Sequence, residues 1–191
     1  MSEKQSAAMR RFRVDDGENE FFTLFRYTQI DGLGYEKGVG RRDPSNIIWV
    51  EDRYYIWYTR ISGEGPVGVE KASEKRRAFK WDLGEIWYAT SLDGYRWEEQ
   101  GKAVGPGSKG AFDDRSVFTV NVLIAEGKYY LVYQAVKAPY NQRTKNVIAM
   151  SRAESPDGPW EKLSEPVLRT GDGGEWLGKE GDPNVKWWEA S

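Results

Sequence analysis

Residues 46–58, Asn46-Ile47-Ile48-Trp49-Val50-Glu51-Asp52-Arg53-Tyr54-Tyr55-Ile56-Trp57-Tyr58, have a second copy at residues 121–133, Asn121-Val122-Leu123-Ile124-Ala125-Glu126-Gly127-Lys128-Tyr129-Tyr130-Leu131-Val132-Tyr133. Each copy is an apolar run, a short polar turn and a Tyr-Tyr-rich run. Aromatic and β-branched residues around such a turn make a β-hairpin. A hairpin that recurs is half of a repeating sheet unit, and units of this kind bury their faces only by stacking on one another.

A second hairpin follows each copy. In the first unit it is Glu85-Ile86-Trp87-Tyr88-Ala89-Thr90-Ser91, the turn Leu92-Asp93-Gly94, and Trp97. In the second it is Asn146-Val147-Ile148-Ala149-Met150-Ser151, the turn Ser155-Pro156-Asp157-Gly158, and Trp160. Asp-Gly suits a tight turn because glycine takes positive φ without steric cost. Four strands per unit is the anatomy of a propeller blade. The expected organisation is an N-terminal arm at 1–42, blade one at 43–104, blade two at 112–168 and the start of a third blade at 175–191. That last unit opens with Gly181-Asp182-Pro183-Asn184-Val185-Lys186-Trp187, which echoes Arg42-Asp43-Pro44-Ser45-Asn46-Ile47-Ile48 with a one-residue gap. Helical periodicity is confined to residues 3–12. The fold class is therefore all-β, a partial propeller of about two blades and the start of a third. Because an open propeller leaves unpaired edges, the chain is expected to be a fragment, a truncated reading frame or a chain that needs a partner.

The composition narrows the chemistry. The 191 residues contain no Cys and no His, so thiolate nucleophiles, Ser-His-Asp triads and Cys- or imidazole-based metal sites are excluded. Acid–base work falls to carboxylates, Lys or Tyr. Lys plus Arg number 28 against 30 Asp plus Glu, a balance without the basic surface of a nucleic-acid partner. The basic run at 71–80 reads as a solvated loop. Aromatic residues are 14% of the chain, with 9 Trp and 11 Tyr, enough for a core and for sugar-stacking surfaces. The polar N-terminus has no secretory pattern, and no stretch reaches the roughly 20 apolar residues that cross a bilayer. The expectation is a soluble cytoplasmic protein, with the periplasm as the alternative.

The carboxylates stand at suggestive places. Asp43, followed by Pro44, opens the first blade; Asp182 opens the third unit; Asp113 and Asp114 stand near the opening of the second. Inner strands line a propeller's central channel, so carboxylates at blade openings converge although distant in sequence. Glycoside hydrolysis uses such a set, a base for water and an acid for the leaving oxygen. The competing reading is an Asp-Pro turn that merely starts a strand. Asp114, likewise, either serves the site, caps its own turn, or pairs with Arg115 or Arg42.

The segment Gly38-Val39-Gly40-Arg41-Arg42-Asp43-Pro44-Ser45 with Tyr54-Tyr55-Ile56-Trp57-Tyr58-Thr59-Arg60 resembles the five-bladed β-propeller glycoside hydrolases, and most closely family 117, the 1,3-α-3,6-anhydro-L-galactosidases. Phe25-Arg26-Tyr27-Thr28, Gly32-Leu33-Gly34-Tyr35-Glu36, Trp81-Asp82-Leu83, Asp114-Arg115-Ser116-Val117-Phe118-Thr119 and Tyr129-Tyr130-Leu131-Val132-Tyr133-Gln134 extend the resemblance over residues 20–187. Family 43 arabinofuranosidases and xylosidases share the propeller and the Asp-Pro openings. The resemblance implies inverting, exo-acting removal of 3,6-anhydro-L-galactose from agar-type oligosaccharides. Under it Asp43 is the general base and Asp182 the second channel carboxylate. Thr119, Gln134 and Asp114 bind sugar, and Trp81 walls the pocket or packs as a core residue. No cofactor is required, although clustered carboxylates and carbonyls leave room for a structural divalent cation. The partner is an oligosaccharide, and family 117 proteins dimerise through an N-terminal helical segment, so a homodimer is the matching expectation. The resemblance places the general acid in a later blade as His or Glu. Glu180 and Glu189 do not match that place, so the 191-residue chain is expected to turn over substrate weakly or not at all. Other readings are a family 43-type enzyme, a non-catalytic carbohydrate-binding fragment and a degenerate gene product.

Overall fold

The computed structural model describes residues 28–139 and 146–169. The helix expected at 3–12, the third unit and Asp182 lie outside them. Two antiparallel sheets hold nearly all the regular structure, with one 3-10 turn at Val69–Lys71.

Blade one contains β1 (Val39–Arg42), β2 (Ile48–Val50), β3 (Arg53–Ser62), β4 (Glu85–Ser91) and β5 (Glu98–Val104). β1 pairs with the distal half of β3, Arg42 opposite Thr59, and β2 pairs with the proximal half, Ile48 opposite Tyr55. They are one inner strand interrupted at residues 43–47. β4 and β5 continue outward. The sheet thus begins at Val39, inside the stretch expected to be an arm. Gly40 and the two arginines are weak strand formers, and it is pairing with Thr59–Ser62 that makes β1 a strand.

Blade two contains β6 (Ser116–Ala125), β7 (Lys128–Val136), β8 (Asn146–Ala153), β9 (Glu161–Lys162) and β10 (Leu168–Arg169). β9 and β10 both pair with β8, so here the outer strand is the divided one. Each blade is four strand positions wide.

The blades meet through one apolar core. Blade one supplies Ile48, Tyr55, Trp57, Ile86 and Val104; blade two supplies Val117, Val120, Val122, Leu131, Tyr133, Ala135, Val147 and Ala149. Trp57 is its centre, fully buried, stacked between Tyr55 and Tyr88 and edge-on to Trp160 at 5.9 Å. The opposite face of blade one packs Tyr58, Ala89 and Trp97 with Leu33, Tyr54, Ile56 and Trp87. β3 is therefore apolar on both faces, which is why its sequence lacks polar–apolar alternation.

The long connection from β3 to β4 crosses to blade two. Its Ala78, Phe79 and Trp81 pack with Phe118 and Val136. Asp82, fully buried, takes Nε and Nη2 of Arg115 at 2.7 and 2.6 Å. Arg115 also donates to the carbonyls of Ser73 and Arg76. The basic run is thus only partly solvated, because Arg77 is buried and closes the base of this connection on the Ser62 carbonyl. Gly84 permits the docking: a Cβ there would lie 3.0–3.1 Å from Trp81 O, Thr59 Cγ2 and Val117 O.

Candidate functional site

The inner strands of both blades are irregular at the same register. In blade one the break after Arg42 puts Asp43 at φ 48°; in blade two a bulge between Phe118 and Val120 puts Thr119 at φ 50°. Arg42 lies opposite Thr59, and Phe118 lies opposite Gln134, so Asp43 and Thr119 occupy equivalent positions. The left-handed region is uncommon for Asp and unfavourable for β-branched Thr. Such conformations cost about 1–3 kcal/mol each and gather at functional sites, as do bulges that re-aim a side chain.

The two residues meet. Thr119 Oγ1 donates to Asp43 Oδ2 at 3.5 Å. The Thr119 backbone N–H donates to Oγ1 of Thr59 at 2.8 Å, and Thr59 is fully buried, so blade one holds the blade-two bulge directly. Arg42 grips the Asp43 carboxylate with two bonds, Nε to Oδ2 at 2.7 Å and Nη2 to Oδ1 at 3.2 Å. The Asp43 side chain keeps 26% of its surface exposed, so it is fixed in aim yet open to water. The Arg42 guanidinium lies 5.7 Å from the ring centre of Trp81. Trp81 stacks on Phe79 at 5.1 Å and leans on Phe118 at 6.5 Å.

Of the residues singled out from the sequence, the structure therefore brings Asp43, Thr119 and Trp81 together. Gln134 is half-buried in the Thr59-equivalent position, and its side chain has no hydrogen bond among the described residues. Asp114 is held elsewhere. Its Oδ2 accepts the Gly110 N–H and its Oδ1 the Ala138 N–H, both at 2.7 Å, which is the turn-capping alternative. It borders a cavity of about 690 Å³ with Leu83, Arg115 and Lys137. Asp113 is buried and paired with Lys162. The blade-two counterpart of Asp43 is thus Thr119 and not either aspartate. Counting back from the repeat finds it: Asp43 is three residues before Asn46, and Thr119 two before Asn121, the difference being one gap. Among the described residues no three carboxylates gather as a metal site would need.

Sequence reasoning also missed a network beside β1. Glu99 accepts Tyr58 OH at 2.6 Å and Arg41 Nε at 2.8 Å, with Arg60 Nε at 3.4 Å. Burial pushes the Glu99 carboxyl up, but the Arg41 and Tyr58 hydrogen bonds and the arginine charges outweigh it, leaving it below the usual 4.5. Burial, then the Glu99 contact, raises the Tyr58 phenol. The network braces Arg41, the residue before Arg42.

No family model and no curated protein matches the chain. Among solved structures, a family 117 glycoside hydrolase of the marine bacterium Zobellia galactanivorans matches with TM-score 0.73 and 41% identity, over 79% of this chain and 46% of that one. A family 43 enzyme of Xanthomonas citri in complex with xylotriose matches with TM-score 0.50 and 16% identity, over 68% of this chain and 34% of that one. A family 43 β-xylosidase/α-arabinofuranosidase from a compost metagenome matches with TM-score 0.50 and 18% identity, over 76% and 41%. The fold is that of the β-propeller glycoside hydrolases. Within that class the chain stands with family 117, and it spans under half the length of the family 117 structure it matches. No helix among the described residues is long and apolar enough to cross a membrane.

Proposed function

We propose that this chain carries the base half of an inverting, exo-acting glycoside hydrolase that removes terminal 3,6-anhydro-L-galactose from agar-type oligosaccharides. The observation that carries the reading is the pair of left-handed breaks, a strand interruption at Asp43 and a bulge at Thr119. Two adjacent inner strands leave regular geometry at one register, and one of them presents an Arg-held, half-open carboxylate. The 41% identity to a family 117 enzyme supports the choice of sugar.

In this mechanism Asp43 takes a proton from a water molecule as the water oxygen bonds to the anomeric carbon. The bond from that carbon to the departing oxygen breaks, and an acid from another blade protonates the departing oxygen. An inverting site needs the two groups roughly 6.5–9.5 Å apart to admit the water. Thr119 Oγ1, whose proton goes to Asp43, accepts from a sugar hydroxyl; the Gln134 amide, without a hydrogen bond among the described residues, donates to one; and Asp182 is the second channel carboxylate. The chemistry requires no cofactor. The acid's part in such a reaction is worth about 10²–10⁴-fold in rate.

A panel of neoagarobiose, xylobiose and an arabinofuranoside, followed by chromatography and by anomer-resolved NMR, tests the reading. Slow release of anhydrogalactose with inversion, and no xylose or arabinose, is expected. Xylose or arabinose release in its place would move the chain to family 43-type chemistry. Binding of neoagarobiose with no turnover on long incubation would leave a carbohydrate-binding module.

A further inference from the structure

Arg42 and Phe118 are the residues that immediately precede the two bulges, and both rest on the same indole, Trp81. Trp81 itself has little freedom. Phe79 stacks on it with planes 6° apart, and its neighbour Asp82, fully buried, is locked to the buried Arg115 by two bonds. The wall is therefore fixed to blade two, while Arg42 belongs to the inner strand of blade one. Arg42 uses Nε and Nη2 on Asp43 while its guanidinium lies over the indole.

We propose that Arg42 is a positioning residue that couples Trp81 to the Asp43 carboxylate, so that the indole, through the guanidinium, sets the direction in which the base points. The proposal rests on the glycosidase reading for its purpose. Its geometry does not depend on that reading. Asp43 sits in the left-handed break between β1 and β2, where the backbone gives it no ladder partner, so side-chain contacts must fix its aim. A planar fork can grip a carboxylate and stack on an aromatic at once; an ammonium on a flexible stem cannot do both. The role differs from a sugar-stacking wall, because the Trp81 ring is already engaged by Phe79, Phe118 and Arg42.

The test reads the Arg42 Nε–H by ¹H–¹⁵N NMR on the full chain, the signal being assigned by its loss in Arg42→Lys. In the wild type it exchanges slowly, and Asp43→Asn abolishes that protection. Trp81→Leu speeds exchange by roughly tenfold or more, and Trp81→Phe, which retains a ring and the packing, gives a value in between. Exchange within about twofold of wild type in both Trp81 variants would overturn the coupling. On neoagarobiose, Arg42→Lys lowers kcat by roughly 10–100-fold with KM within about twofold, the range expected for a misaimed group. An unchanged kcat in Arg42→Lys would also overturn the proposal. If the wild type hydrolyses nothing, an outcome the expected weak turnover admits, the exchange data alone decide whether Trp81 aims Asp43 through Arg42, and release of xylose or arabinose in place of anhydrogalactose is what would sink the agar-sugar reading.

Discussion

Blade one and blade two come from the same repeat and break regularity in opposite places. In blade one the inner strand is divided, with residues 43–47 between β1 and β2; in blade two the inner strand runs unbroken through one bulge and the outer strand is divided. What the two share is a left-handed residue on the inner strand, a carboxylate in one and a hydroxyl in the other. The repeat keeps the backbone device and varies the chemistry it presents. Their Asp-Gly turns differ in the same spirit. Asp93 closes its own turn by accepting the Tyr95 and Arg96 N–H groups, and those bonds, the Arg96 one foremost, hold its carboxyl below the usual range. Asp157 reaches across to blade one and accepts the hydroxyls of Tyr55 and Tyr88 at 3.2 and 3.1 Å.

The largest effect is expected where the blades are joined by charge. Asp82→Ala or Arg115→Ala alone strands a buried partner and lowers unfolding free energy by about 3–5 kcal/mol. The double variant loses less than the sum. A loss under about 1 kcal/mol by denaturant unfolding would mean that the apolar core alone joins the blades.

Thr59 and Gln134 sharpen the comparison, since they occupy the same register. Thr59→Val leaves the Thr119 N–H without its acceptor and costs about 1–3 kcal/mol. Gln134→Leu, whose side chain has no hydrogen bond among the described residues, stays within about 0.5 kcal/mol. Equal costs would break the asymmetry drawn between the two bulges.

Glu99 adds a pH dependence that belongs to blade one. Its carboxyl is depressed in the folded state, so its contribution is complete above the ordinary value of 4.5 and fades as pH falls through the lower folded value. Glu99→Gln therefore lowers the thermal midpoint at pH 7, and the gap to wild type narrows as pH falls below the ordinary carboxyl value of 4.5 and through the lower folded value. A gap that persisted undiminished at low pH would remove the carboxylate charge from the explanation.

The smallest effect concerns the turns. Burial first, and then the Asp157 charge and hydrogen bonds, push the Tyr55 and Tyr88 phenols up to about 12. Asp157→Asn brings both titrations down part of the way, read by ultraviolet absorbance, and costs about 0.5–1.5 kcal/mol. Asp93→Asn leaves both phenols where they are.

The strands and Asp-Gly turns were legible because a hairpin announces itself within a dozen residues. The place of Asp43 at the opening of an inner strand was legible from Pro44 after it. The rest depends on contacts that sequence order hides. Thr119 meets Asp43 across 76 positions and Tyr55 meets Asp157 across 102. A one-residue gap concealed the equivalence of Thr119 and Asp43, and two aspartates near the second blade opening imitated it. Arg42 read as part of an Asp-Pro motif, because only the folded chain sets the β3–β4 connection, with Trp81, beside it.

The central claim is that the carboxylate at the blade-one bulge activates water for glycoside hydrolysis. Initial rates on neoagarobiose, wild type against Asp43→Asn, test it most directly, with Thr119→Val as a second comparison. Asp43→Asn should lower kcat by about 10²–10⁴-fold, the usual worth of a general base. Thr119→Val should lose less, through KM more than kcat. Hydrolysis by Asp43→Asn at the wild-type rate would contradict the account.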